Sequence, residues 1–205
     1  MKRFDCLNAI APYFQEELVV TNLGGVRHEW YALRPHPGNY HLHNLGLASS
    51  VGLGLALALP RRKVVVFDGD GSLLLNLGSL ATIANLHPRN LLHVVFDNGC
   101  YESSRGAPTA TAGVTDLAAI AKGAGFENAV TVDSIKDFEA NFLEALKRPD
   151  LYFMVAKIEP GMGNVSPAPF DSQENKYSFV RYIEKSENVD ILVSPLSRTR
   201  EIGEK

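Results

Sequence analysis

Two polar clusters in this chain have the residue types and spacing to hold a metal-bound diphosphate. The first is Gly69-Asp70-Gly71-Ser72 and the second is Asp97-Asn98-Gly99-Cys100. Asp70 and the Asn98 amide oxygen are hard oxygen donors. They suit Mg²⁺, which takes few protein ligands and completes its octahedron with phosphate oxygens and water. Glycines beside Asp70 let the backbone approach a phosphate closely, and free N–H groups at a following helix start can bind its oxygens. Twenty-five residues separate Gly71 from Asp97, room for one helix and one strand. Neither cluster says much alone: Gly-Asp-Gly is commonly just a turn, and Asp-Asn-Gly can simply end a strand. A dinucleotide-binding loop would need a third glycine where Leu74 stands, and no GK[ST] phosphate loop occurs in the sequence.

Both clusters close apolar runs. Residues 18–21, 64–68, 91–97, 129–132 and 152–157 read as buried strands, being short and apolar or β-branched. Helices are expected over 47–59, 78–86, 115–123 and 135–146, with Thr115 and Ser134 as N-caps. A further helix near 5–15, carrying Glu16 and Glu17 at its end, precedes the first strand. Continuous apolar strands alternating with helices predict an α/β fold, a doubly wound, mostly parallel sheet with helices on both faces. Ligands of such sheets sit at the carboxyl ends of the strands. The two clusters should therefore lie side by side on neighbouring strands. Residues 22–31, expected as a loop, should reach the same end, with Gly24 and Gly25 in it. The binding domain spans 1–158. The remainder, 159–205, reads as a partly irregular extension, with a short helix near 173–184, a strand near 191–194 and a disordered polar end.

The bulk composition fits this reading. The chain has 205 residues, 45% hydrophobic and 21% charged, with a formal net charge of −3. No sequence-wide basic field invites nucleic acid. The N-terminus lacks a signal-peptide pattern, and the most apolar stretch, 45–59, is too short for a bilayer. Two cysteines without CxxC spacing give no disulfide framework, so the cytoplasm is the expected compartment.

Gly-Asp-Gly, a spacer of about 25 residues and an Asn pair resemble the pyrophosphate-binding (C-terminal) domain of thiamine-diphosphate enzymes. The resemblance implies that Asp70, the Asn98 side chain and the Cys100 main-chain oxygen hold Mg²⁺ bridging the diphosphate, with Gly69, Gly71, Ser72 and Tyr101 beside it. This chain has Asp97-Asn98 where that family usually has Asn-Asn. The second residue is the ligand, so the departure leaves the site intact. Leu45-Gly46 stands where the family carries a bulky apolar residue that bends the cofactor, and Gly24 and Gly25 would meet the diphosphate. The strings LGLASSVGLGLALA, DGDGSLLLNLGSLATIA and DNGCYESSRGAPT are most similar to sulfopyruvate decarboxylase beta subunits and phosphonopyruvate decarboxylases, over residues 21–160.

That resemblance implies a carboxy-lyase acting on an acidic 2-oxoacid, with thiamine diphosphate and Mg²⁺ as cofactors. It also implies a separate pyrimidine-binding subunit. Family enzymes use a glutamate from a pyrimidine-binding domain, and this chain has no room for one. Homo- or hetero-oligomers are both consistent with this, and no catalytic residue is assigned within the chain. Arg105, Arg27 and His28 are candidate contacts for an anionic substrate; each could equally be an ordinary surface cation. His41 and His43 would face the same way on an extended segment, either as a metal pair in want of a third ligand or at the site entrance. Cys100 should contribute its backbone only. An acetolactate-synthase-like carboligase, or a non-catalytic cofactor-binding subunit, remains the alternative. An oxidoreductase with iron–sulfur clusters would need cysteines that this chain lacks.

Overall fold

The computed structural model describes residues 1–169 and 171–192. A six-stranded, wholly parallel sheet runs through the centre: β1 (Leu18–Thr21), β2 (Asn39–His41), β3 (Val64–Gly69), β4 (Leu91–Asp97), β7 (Ala129–Val132) and β8 (Tyr152–Lys157), in the order β2-β1-β3-β4-β8-β7. Side chains alternate faces along each strand, which splits the interior into two cores. Val64, Val66, Val95, Phe153 and Val155 face one way. Val65, Phe67, Val94, Phe96 and Met154 face the other.

Helices cover both faces, as the pattern predicts. The Val65 face packs on α1 (Arg3–Ile10), α2 (Gly25–Leu33) and α7 (Ile135–Lys147), through residues such as Leu7, Trp30 and Phe142. The Val66 face packs on α3 (Ala48–Ala58), α5 (Ser79–Leu86), α6 (Leu117–Ala124) and α8 (Ser172–Glu187). Between these lie the short α4 (Asp70–Leu74) and a hairpin of β5 (Cys100–Tyr101) and β6 (Ala107–Pro108). No helix among the described residues is long and apolar enough to cross a membrane.

Strands β1, β4, β7 and β8 match their expected bounds. Ser134 caps α7 by accepting the Asp137 N–H. Other expectations need correction. Residues 22–31 are not a loop throughout, because α2 begins at Gly25. Val26 and Trp30, four apart, bury one stripe of it, while the glycine pair at its start hides the helical signal. Thr115 does not cap α6. Asp116 does, accepting the N–H groups of Ala118 and Ala119. The helix before β1 ends at Ile10 and gives way to a 3-10 turn over Ala11–Tyr13, so Glu16 and Glu17 lie beyond it.

Strand β2 is only three residues long and went unread. Its outer edge is covered rather than open: Asn175 of α8 accepts the His41 N–H and donates to the Asn39 carbonyl, as a neighbouring strand would. Tyr40 stacks on Phe179 with ring centroids 5.2 Å apart. The extension beyond residue 158 runs irregularly back across the carboxyl end of the sheet before α8. The strand expected over 191–194 lies partly outside the described residues, and the last ten residues, expected to be disordered, lie wholly outside them. Ile191 and Leu192 themselves form a bend.

Candidate functional site

The chain steps from β1 outward to β2, then returns past β1 to β3. A doubly wound sheet opens a crevice where the strand order reverses. A cleft of about 400 Å³ lies there. Four chain segments supply it: Gly24, Gly25 and His28 after β1, Leu45 after β2, Gly69 to Ser72 after β3, and Asn98, Cys100 and Tyr101 after β4. Gly46 stands just behind: its N–H donates to Ser72 Oγ (3.0 Å) and its carbonyl accepts from Asn76 Nδ2 (2.9 Å), which ties the Leu45 turn to α4. Arg27 stands behind His28, its Nε 3.3 Å from His28 Nε2 and its Nη1 3.0 Å from His43 Nδ1, and neither Arg27 nor His43 is among the residues lining the cleft. Arg105 does not join. It is exposed at the hairpin tip with φ 56° and does not line the cleft.

Asp70 is buried at the start of α4. Its Oδ2 accepts the Thr109 hydroxyl hydrogen (2.6 Å) and shares the single Thr111 hydroxyl hydrogen (3.0 Å) with Asp97 (2.7 Å). Burial raises its pKa above the ordinary carboxylate value, the two threonines oppose the rise, and the neighbouring Asp97 adds to it. This carboxylate is short of positive charge, as a cation ligand would be before its cation arrives. Asp97 is compensated within the chain: Lys157 Nζ pairs with its Oδ2, while Thr111 and the Gly99 N–H donate to its Oδ1. An acid is therefore tolerated where the resemblance leads one to expect Asn, because a lysine at the end of β8 neutralises it. The Asn98 side chain is held in a tight turn, its Oδ1 accepting the Cys100 N–H. Burial, then the charges of Glu102 and Asp70, push the Cys100 thiol pKa up, away from reactivity.

Two of the cleft's glycines have neighbouring side chains packed directly against them. A Cβ on Gly71 would sit 2.3 Å from the Tyr101 ring, so the loop lies flat against that side chain. A Cβ on Gly25 would sit 2.2 Å from Arg3 Nη2. Arg3 was not foreseen, being distant in sequence and on the first helix. Neither were Thr109, Thr111 and Lys157, which carry no motif of their own. Met162 and Pro167 of the extension also line the cleft. They are held there by hydrogen bonds from the Gly161 N–H to Glu102, from the Gly163 N–H to Glu29 and from the Ala168 N–H to His28.

The described residues contain no cluster of three His, Cys, Asp or Glu side chains able to hold a metal. That removes the metal reading of His41 and His43, and it is no obstacle to a Mg²⁺ site built from one carboxylate, amide and backbone oxygens and phosphate. The two histidines also part company. His41 is buried on β2 with Nδ1 3.0 Å from Thr21 Oγ1, while His43 meets Arg27. Burial, then the nearby Arg27, His28 and His43, push the His41 pKa from 6.5 down to about 3. Below pH 6.5 the unfolded chain takes up a proton that the folded chain refuses. Stability present above that pH is therefore lost as pH falls toward 3. Between pH 7.5 and 5 this group should remove about 2 kcal/mol. Urea unfolding of wild type and His41→Asn at the two pH values checks it, since equal pH dependence in both would rule out His41 as the cause.

Comparison with known proteins agrees with the fold and with the resemblance noted in the sequence. Residues 25–156 match the family described as thiamine pyrophosphate enzyme, C-terminal TPP binding domain. The chain is 38% identical over 187 residues to sulfopyruvate decarboxylase subunit beta of Methanocaldococcus jannaschii, covering 90% of this chain and 98% of that one. It is 38% identical over 144 residues to phosphonopyruvate decarboxylase of Streptomyces hygroscopicus, covering 70% of this chain and 35% of that protein. The structure of a thiamin diphosphate-dependent enzyme isolated from Mycobacterium smegmatis shares the fold, with a TM-score of 0.69 at 23% identity over 78% of this chain and 32% of that one. With a family match over more than half its length and a relative aligned almost from end to end, the chain belongs to the thiamine pyrophosphate enzymes and carries their C-terminal, TPP-binding domain.

Proposed function

We propose that this chain is the thiamine-diphosphate- and Mg²⁺-binding subunit of a cytoplasmic 2-oxoacid decarboxylase of the sulfopyruvate type, completed by a pyrimidine-binding partner chain. The observation that carries the reading is the cleft at the strand reversal, where an undercompensated Asp70 and the Asn98 turn meet glycine-lined backbone. When bound, thiamine diphosphate supplies the electron sink that lets a 2-oxoacid lose CO₂.

The chain's own residues bind and orient. Asp70, the Asn98 amide oxygen and the Cys100 main-chain oxygen hold Mg²⁺. Gly24, Gly25, Gly69, Gly71 and Ser72 admit the diphosphate, and Tyr101 backs the Gly71 turn. Leu45, fixed through Gly46 to Ser72 and Asn76, gives the rings an apolar contact. Thr109 and Thr111 aim the Asp70 carboxylate. Glu102 is the one glutamate lining the cleft among the described residues, and it is committed to the Gly161 N–H and Arg3. This reading assigns the glutamate that activates the cofactor to the partner. The relative named subunit beta, and the phosphonopyruvate relative of which this chain spans about a third, support that division.

The test is a two-chain assay. This chain and a candidate pyrimidine-binding chain are purified apart and mixed with cofactor, Mg²⁺ and sulfopyruvate, and CO₂ release is followed. Each alone should be silent and the pair active. Turnover by this chain alone would sink the subunit assignment, and a pair that binds the cofactor yet only joins two oxoacids would replace decarboxylation with carboligation.

A further inference from the structure

Beside the cleft, beyond the carboxyl end of β2, three basic side chains meet with no acid paired to them. Arg27, in the first turn of α2, brings Nη1 within 3.0 Å of His43 Nδ1 and Nε within 3.3 Å of His28 Nε2. Among the described residues no carboxylate pairs with Arg27. The acids nearby are engaged elsewhere: Glu29 with Arg3 and the Gly163 N–H, and Asp171 with the N–H groups of Gln173 and Glu174. His28 itself lines the cleft.

The His28 ring shows what the cluster lacks. A neutral imidazole has one N–H and one lone pair. Nδ1 accepts the Ala168 N–H at 2.9 Å, so the ring proton sits on Nε2. That proton faces the Arg27 Nε–H, and two donors confront each other across 3.3 Å. A doubly protonated ring would have the same conflict and lose the Ala168 bond as well. An anion set against both donors resolves it.

We propose that Arg27, flanked by His28 and His43, is the subsite for the anionic end of the substrate, a tetrahedral oxyanion on the carbon next to the reacting carbonyl. The proposal rests on the decarboxylase reading above and sharpens it toward a sulfonate. Burial, then the Arg27 charge, lower the pKa of both rings, so each is a neutral N–H donor at neutral pH. The subsite offers one full positive charge and two neutral donors. A sulfonate has one negative charge spread over three oxygens. A phosphonate, like other phosphoryl groups, carries close to two charges at neutral pH, and one would go unpaired.

Two measurements on the two-chain complex read the subsite separately: turnover of sulfopyruvate, and calorimetric titration with sulfoacetate, an inert two-carbon sulfonate. Arg27→Met should raise KM for sulfopyruvate about 30- to 100-fold with kcat within about threefold, the loss of one charge-assisted bidentate contact. It should lose sulfoacetate binding and should turn over pyruvate, which has no sulfonate, as well as wild type does. Arg105→Met should change none of these, and phosphonoacetate should bind wild type more weakly than sulfoacetate. A wild-type complex that does not bind sulfoacetate, or an Arg27→Met complex that binds it equally, overturns the subsite. Tighter phosphonoacetate binding overturns the sulfonate assignment. Arg27-dependent sulfoacetate binding in a complex that releases no CO₂ supports the subsite and removes the decarboxylase reading instead.

Discussion

Replacing Asp70 with alanine is expected to weaken thiamine diphosphate binding by about 100-fold or more in the presence of Mg²⁺. Burial already raises the pKa of this carboxylate, and no cation among the described residues compensates it. Its charge is therefore available to a divalent ion, and without it the ion would be left to the Asn98 and Cys100 oxygens and the phosphates. Asp70→Asn keeps an oxygen ligand but removes the charge, so it should fall between wild type and alanine. Thr109→Val with Thr111→Val leaves the ligand in place and removes the hydroxyls that aim it. A loss of about 10- to 100-fold is expected there, the range for outer partners of a metal ligand. Calorimetric titration of the chain with thiamine diphosphate, at saturating Mg²⁺ and again without it, separates the effects. Equal affinity of wild type and Asp70→Ala would overturn the metal assignment.

Glu29→Ala is expected to cost about 3–5 kcal/mol of folding stability, the range for removing one member of a buried ion pair. The Glu29 side chain is fully buried and the Arg3 side chain nearly so. Arg3 Nε donates to Glu29 Oε2 at 2.7 Å, and the Gly163 N–H donates to Oε1 at 2.6 Å. Alanine would leave the guanidinium buried with only the Gly161 carbonyl and the more distant Glu102 carboxylate. It would also free the chain segment that carries Met162 over the cleft. The cost belongs mostly to the stranded charge, so the double variant Arg3→Met, Glu29→Met should recover much of it. Urea unfolding at neutral pH reads both, and a loss below about 1 kcal/mol for Glu29→Ala would show that water reaches Arg3.

The sequence by itself determined five of the six sheet strands and the pairing of Asp70 with Asn98, because both are written locally. Buried parallel strands are continuous apolar runs, and β1, β4, β7 and β8 could be bounded from them. Asp70 and Asn98 could be paired because the 25 residues between Gly71 and Asp97 make one helix-bearing crossover, which brings the carboxyl ends of adjacent strands together. Local signals failed where an element is short or its start is disguised. Strand β2 has three residues, too few for periodicity to show, and the glycines that open α2 look like a loop.

The tertiary structure alone decided which distant residues serve the site. Thr109 lies 39 residues from Asp70, and Lys157 lies 60 from Asp97. No pattern along the chain announces a hydroxyl that becomes a partner only when the β5–β6 hairpin folds back, or an ammonium group that does so only when β8 docks beside β4. The same holds for the choice between Arg27 and Arg105. Both are arginines near glycines, and they were indistinguishable as text. One helix start places Arg27 against two histidines beside the cleft, while a left-handed hairpin tip leaves Arg105 exposed. Spacing could name the cofactor, since the two motifs that point to it are local in the chain. The subsite proposed for the substrate depends on charges that meet beyond the sheet's carboxyl edge, and only the folded chain brings them there.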